Sequence, residues 1–177
     1  MVLTYIFVGL VGLYTAVAAV VDFRLHRTPN YLTVPAAVTG LLFHSFFSSW
    51  GALFSIGGFS VGFVLLFVPW LLGGGGMGDV KLLAALGAWL GPVYMLFAFA
   101  TSIFLAAIIA LGVLIKVACT KGVGTAKHRY LSQKRDSAST ISDRPKRSRV
   151  VPFAVPVAMS TWILLAWLIS HGGIKLT

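Results

Sequence analysis

The chain has 177 residues, of which 58% are hydrophobic and only 10% are charged. Its mean hydropathy is +0.94, and its formal net charge is +10 at pH 7. A water-soluble domain of this length needs far more polar surface, so the composition excludes that class and indicates an integral membrane protein. The apolar runs are long and lack the alternation of a transmembrane barrel, which indicates helices.

Six apolar segments follow one another along the chain. A helix needs about 20 apolar residues to cross the hydrocarbon core, and the sequence predicts spans over residues 2–21, 31–49, 52–72, 80–90, 93–117 and 150–169. The fourth segment is short, because its residues at about 1.5 Å each cover only about 16 Å. We therefore predict an all-α polytopic membrane protein with six transmembrane helices, a short helix 4, and one domain over residues 1–177.

The Lys and Arg residues predict the orientation. If the N-terminus lies outside, 13 of the 14 Lys and Arg residues fall on the cytoplasmic side, and only Lys175 lies outside. Because cytoplasmic loops are enriched in Lys and Arg, both termini are predicted outside. The basic segment 118–149 is then a cytoplasmic loop, whose charge favours contact with an anionic inner leaflet. Its low aromatic content argues against a nucleic-acid partner.

Acidic residues are scarce, which makes their positions informative. The chain has no Glu and four Asp. Asp136 and Asp143 fall in the basic loop, whereas Asp22 and Asp79 adjoin apolar segments, where an ionisable side chain is costly and is a candidate functional residue. In the six-helix topology Asp22 closes helix 1 and Asp79 opens helix 4 on the same side of the membrane.

Two neighbouring carboxyl groups suit acid–base chemistry. Close carboxyls share a proton across neutral pH, so one can take a proton from water while the other donates to a carbonyl oxygen. This is aspartic-protease chemistry, and we predict no metal or other cofactor. The helix macrodipole favours negative charge at a helix start, which predicts Asp79 as the initial base and Asp22 as the acid.

A run of glycines precedes Asp79. Glycine adopts backbone conformations closed to other residues, and an extended substrate strand could pair with the backbone around Gly75, Gly76 and Gly78. Taken alone, the run is better explained as a turn between two helices.

Three motifs carry a resemblance to a known family. The segment GMGDVKLLAALGAWLG, residues 76–91, resembles the GxGD motif region of type IV prepilin peptidases, which are bacterial membrane aspartic proteases. Asp22 with Pro29-Asn30 is similar to the first motif of that family, and VPFAVP, residues 151–156, is similar to its late Pro-Phe-Gly element. The resemblance implies that Asp22 and Asp79 are the catalytic pair, with supporting residues Pro29, Asn30, Lys81, Pro152 and Phe153.

The resemblance also implies a substrate and a location. The substrate would be a pilin-like precursor with a short basic leader before a hydrophobic helix, cut near the cytoplasmic face of the bacterial inner membrane. Thr28 stands where Ile or Leu is usual in the family, and Ala154 replaces a glycine of the late element. The chain lacks the extension with paired CxxC motifs that long members carry. It therefore resembles the short form that serves tight-adherence pili, and N-methylation is not supported.

Two other functions fit the same residues. A proton-coupled transporter would use the two carboxyls as a relay and would show Asp-dependent solute flux without proteolysis. A non-catalytic pilus-assembly subunit would tolerate Asp22→Asn or Asp79→Asn.

Overall fold

The structure is a computed structural model that describes residues 2–25, 28–72, 76–121 and 153–171. The described residues form five helices and no strand, which confirms the predicted all-α class. The helices are α1 (Val2–Leu25), α2 (Asn30–Phe47), α3 (Gly51–Leu71), α4 (Met77–Lys121) and α5 (Ala154–Ser170).

Within the described ranges, three helices are long and apolar enough to cross a membrane, and these are Val2–Leu25, Gly51–Leu71 and Met77–Lys116. Helix α5 is also apolar but has only 17 residues. Several predicted boundaries shift by up to four residues. Helix α1 continues past Val21 to Leu25, and α4 continues to Lys121, so the predicted loop 118–149 starts later. The rest of that loop lies outside the described residues.

Helix α4 contains two of the predicted spans, joined at a break. Gly91 has φ 76° and ψ 174°, which is not helical, and glycine is the residue that adopts a positive φ most readily. Pro92 follows, and proline cannot donate a hydrogen bond to the preceding turn. The predicted end of helix 4 at this Gly-Pro pair is therefore confirmed. We call residues 77–90 the first arm of α4 and residues 92–121 the second arm.

The first arm lies at the centre of the bundle. A helix that is apolar on every side is stable only when it is surrounded, and α1, α2, α3 and α5 all pack against α4. Its buried side chains come from all faces, namely Val80, Leu82, Leu83, Ala84, Ala85, Leu86, Ala88, Trp89 and Leu90. Because protein surrounds this arm, its length need not match the thickness of a bilayer.

Helices α3 and α4 meet through glycines. A Cβ atom at Gly58 of α3 would overlap the Gly87 carbonyl oxygen, and a Cβ at Gly87 would overlap the Gly58 carbonyl oxygen. One turn further along α3, a Cβ at Gly62 would overlap the Leu83 carbonyl oxygen. Small residues spaced four apart let two membrane helices bring their backbones together. The two helices are thus in backbone contact along this face.

Side chains from α2 and α3 satisfy the carbonyl groups that the break releases. The Ala88 carbonyl would normally accept from the residue four positions later, but that residue is Pro92, which has no N–H. Ser55 donates its hydroxyl hydrogen to the Ala88 oxygen at 2.8 Å. His44 Nε2 lies 2.8 Å from the Trp89 carbonyl oxygen, which can only accept, so Nε2 carries the hydrogen. The break is therefore braced by two neighbouring helices.

Candidate active site

Asp22 lies in the last turn of α1 and is almost fully buried, with 1% of its surface exposed. Its Oδ2 atom accepts a hydrogen bond of 3.1 Å from the backbone N–H of Ala154. Deeper in the same helix pair, Trp162 Nε1 donates to Thr15 Oγ1 at 2.9 Å. The carboxyl group is thus held against the start of α5 by a packed pair of helices.

Ala154 is the first residue of α5, and its N–H belongs to the group of helix-start donors that have no partner inside their own helix. Phe153, the preceding residue, makes no side-chain cap hydrogen bond. The carboxyl group of Asp22 therefore caps α5 from another helix. Asp22 thus lies at the C-terminus of α1 and beside the N-terminus of α5, and the two macrodipoles act on its carboxyl group in opposite directions. The assignment of Asp79 as the initial base and Asp22 as the acid stays a prediction.

Asp79 lies in the first turn of α4 with 7% of its surface exposed. Its backbone N–H donates to the Gly76 carbonyl oxygen at 3.0 Å, which closes the turn that leads into the helix. Met77 and Gly78 are already helical. Gly78 therefore belongs to the helix, and the pairing of a substrate strand with the backbone around Gly75, Gly76 and Gly78 stays a prediction. Gly76 precedes the helix, and Gly75 lies outside the described residues.

The segments that carry the two aspartates meet at one end of the bundle. The nearest atom to a Cβ built on Gly78 is the Thr28 hydroxyl oxygen, and the two would overlap. Lys81 Nζ donates to Asn30 Oδ1 at 2.9 Å. These contacts join the chain that follows Asp22 to the chain around Asp79. We call this region the aspartate end and define it by Asp22, Thr28, Gly78, Asp79 and Ala154.

A contact inside the bundle keeps α1 beside the first arm of α4. The Tyr14 hydroxyl, two turns before Asp22, donates to the Leu82 carbonyl oxygen at 3.4 Å. Leu82 is one turn after Asp79, so the C-terminal end of α1 lies near the N-terminal end of α4. The same-side placement of the two acids, predicted from the alternation of spans, agrees with this geometry.

The other predicted residues flank the aspartate end. Pro29 is the N-cap of α2, and its carbonyl oxygen accepts from the Leu32 N–H at 3.1 Å. Phe153 precedes α5, and its carbonyl oxygen accepts from the Val157 N–H at 3.4 Å. Pro152 lies outside the described residues. Pro29 and Phe153 therefore shape the helix starts that lie beside the two acids.

Two features of this end were not identified as functional from the sequence. The Ala154 N–H is a backbone donor, and every residue except proline has one, so the residue type does not reveal it. Its position just before an apolar run was a usable signal, because helix starts attract carboxylates. Thr28 was noted only as an unusual residue in its motif. In the structure its hydroxyl lies against Gly78, next to Asp79.

The chemistry available at this end comes from two buried carboxyl groups. Among the described residues, no group of three or more His, Cys, Asp and Glu side chains is placed to hold a metal ion. In a region of low dielectric, a carboxyl group interacts strongly with any polar group that enters beside it. The arrangement suits proton transfer to and from a bound molecule.

Comparison with known proteins gives one match. A family model described as the type IV leader peptidase family matches residues 7–111. No curated protein matches the chain, and neither does any solved structure. The matched range contains both buried aspartates and the Asn30–Lys81 contact. It ends before α5, so the hydrogen bond from Ala154 to Asp22 joins the matched range to a part of the chain outside it.

Proposed function

Because the chain belongs to the type IV leader peptidase family, we propose that it is a membrane aspartic endopeptidase with Asp22 and Asp79 as the catalytic pair. The observation that carries the proposal is the burial of both carboxyls at the aspartate end. There the Thr28–Gly78 and Asn30–Lys81 contacts join their segments. The family match indicates a peptidase. The aspartic mechanism and the assignment of the two catalytic residues are our proposal.

In the proposed mechanism the two carboxyls share one proton. The ionised carboxylate removes a proton from a water molecule while the water oxygen attacks the carbon of the scissile carbonyl. The protonated carboxyl gives its hydrogen to the carbonyl oxygen, which forms a tetrahedral diol. A proton then moves to the amide nitrogen, the C–N bond breaks, and an acid and an amine are released.

The proposed substrate is a pilin-like precursor protein with a short basic leader before a hydrophobic helix. The proposed cut falls at the boundary between them. This suits a site at the end of a helical bundle, because the hydrophobic helix can stay in the bilayer while the leader reaches the carboxyls. The location follows from the charge rule, with the aspartate end at the cytoplasmic face of the bacterial inner membrane.

We propose six crossings for the membrane topology, with both termini outside. Helices α1, α2, α3 and α5 and the two arms of α4 supply the six segments. The first arm is short for a crossing, but the helices packed around it replace lipid contact. In this topology the basic segment 118–149 is cytoplasmic and contacts anionic lipid.

Cleavage by purified protein in detergent tests the proposal. The substrate is a pilin precursor, and the variants are Asp22→Asn, Asp79→Asn and the control Asp136→Asn. Each of the first two lowers the cleavage rate by about 10³-fold or more, because each removes a proton-transferring group, and the control cleaves like the wild type.

Cleavage retained by Asp22→Asn or Asp79→Asn contradicts the mechanism. Wild-type assembly function that survives both substitutions would instead indicate a non-catalytic subunit. Asp-dependent proton flux in vesicles without cleavage would indicate the transporter.

A further inference from the structure

The Thr28 side chain is buried between the segments that carry the two aspartates. Only 8% of its surface is exposed, and its hydroxyl oxygen lies where the Cβ of any residue other than glycine at position 78 would stand. The three atoms nearest to that Cβ position all belong to Thr28. Thr28 and Gly78 therefore face each other directly, with Asp79 as the next residue.

The hydroxyl group of Thr28 has no hydrogen-bond partner among the described residues. Threonine near a helix start usually bonds to first-turn N–H groups, but the Thr28 hydroxyl makes no such bond here. Pro29 has no N–H to offer, and the N–H groups of Leu32 and Thr33 donate to the Pro29 carbonyl oxygen instead of to Thr28. A buried hydroxyl without a partner is destabilising, and valine would fill the same space without that cost.

We propose that the Thr28 hydroxyl binds the main chain of the peptide substrate and donates a hydrogen bond to a carbonyl oxygen beside the scissile bond. This inference rests on the proposed function and adds to it a residue that positions substrate. The one proton that Asp22 and Asp79 share is donated to the scissile carbonyl oxygen, so a neighbouring substrate carbonyl needs another donor. When a substrate strand lies beside Thr28 at the aspartate end, one of its carbonyl oxygens accepts the hydrogen bond that the hydroxyl lacks.

The test compares Thr28→Val, which removes only the hydroxyl, with Thr28→Ser, which keeps it. We expect Thr28→Val to lower kcat/KM for precursor cleavage by about fivefold, the loss of one neutral hydrogen bond. Its melting temperature is unchanged or raised, because the group removed was unpaired. Thr28→Ser stays within about twofold of the wild type in kcat/KM. In an Asp79→Asn background, Thr28→Val weakens binding of the uncleaved precursor by about the same factor as it lowers kcat/KM.

Thr33→Val is the matched control. Thr33 is also buried, at 3% exposure, and its hydroxyl also has no partner among the described residues. We expect it to leave cleavage unchanged. The inference is overturned if Thr28→Val cleaves like the wild type, if Thr33→Val loses as much activity, or if Thr28→Val loses activity together with stability. Failure of the proposed function is a separate result, since it appears as cleavage by the Asp→Asn variants or as a wild type that does not cleave.

Discussion

At the Gly91 break, the carbonyl oxygens of Ala88 and Trp89 are each taken up by a side chain from another helix, Ser55 and His44. At the aspartate end, by contrast, the buried polar groups include the carboxyls of Asp22 and Asp79. Each region also has a buried atom with no partner in the described part of the chain, His44 Nδ1 at the break and the Thr28 hydroxyl at the aspartate end. The two regions lie at opposite ends of the same central arm of α4.

This contrast distinguishes polar groups that stabilise the helical bundle from polar groups that serve the proposed activity. Polar groups that are paired inside the protein contribute to stability and have little left to offer a ligand. The aspartate end instead buries two ionisable carboxyl groups beside apolar segments, and such residues are typical of functional sites in membrane proteins. Substitutions at the break should therefore change mainly the free energy of unfolding, and substitutions at the aspartate end mainly the activity.

The largest expected effect separates activity from stability at Asp22. Asp22→Asn and Asp22→Leu both lower cleavage by about 10³-fold or more. Asparagine keeps an oxygen that accepts from the Ala154 N–H, so Asp22→Asn unfolds at the wild-type temperature. Leucine leaves that N–H without a partner and lowers the free energy of unfolding by about 1–3 kcal/mol. Equal melting temperatures for the two variants would mean that the Ala154 contact contributes nothing.

The next effect tests the backbone contact of α3 with α4. Gly58→Ala puts a methyl group into the Gly87 carbonyl oxygen and lowers the free energy of unfolding by about 2–3 kcal/mol. Gly57→Ala is its neighbour control, because a Cβ there meets only Pro92, at 3.8 Å. Thermal unfolding in detergent measures both. Similar losses for the two variants would show that the glycine contact is not what destabilises Gly58→Ala.

A smaller effect tests the bracing of the break. Ser55→Ala leaves the Ala88 carbonyl without its partner and lowers the free energy of unfolding by about 1–2 kcal/mol. Ser60→Ala, on the same helix, removes a hydroxyl that only bonds back to the Ile56 carbonyl oxygen of its own helix. It changes stability by less than about 0.5 kcal/mol. If Ser55→Ala instead lowers kcat/KM at unchanged stability, the division between the two regions is wrong.

The smallest effect concerns the contact between Lys81 and Asn30. It is an exposed hydrogen bond, so a double-mutant cycle with Lys81→Met and Asn30→Ala gives a coupling of about 0.2–1 kcal/mol in stability. Asn30→Asp turns the contact into an ion pair, which should keep the coupling and make it weaken with salt. A coupling that is zero at low salt would mean that this contact does not join the two aspartate segments.

The sequence was enough to predict features that depend on composition and local chemistry. The all-α class, the break at Gly91-Pro92 and the resemblance to the family are confirmed. These follow from the apolar runs, from the backbone conformations that glycine and proline allow, and from the residue identities in the motifs. The catalytic roles of Asp22 and Asp79 remain predictions that cleavage assays must test.

Features that depend on packing between distant segments were not predictable. The donor to Asp22 is a backbone group 132 positions away, and no residue pattern reports which helix start will lie beside a given carboxyl. Lys81 was predicted only as a supporting residue, from the family resemblance, and no partner was predicted for it. Its actual partner, Asn30, comes from the segment that follows α1. Each miss is a contact that exists only after several helices have assembled.

The central position of the first arm of α4 has a consequence for how the chain is made. In a bilayer this arm would expose released carbonyl groups to hydrocarbon unless Ser55 and His44 were already beside it, and such exposure is costly. Both side chains belong to helices that precede α4, so synthesis from the N-terminus delivers them first. The arm can therefore pack against α2 and α3 as soon as it is synthesised. In a circular permutant that begins at α4, the arm would have to insert before those two helices are present.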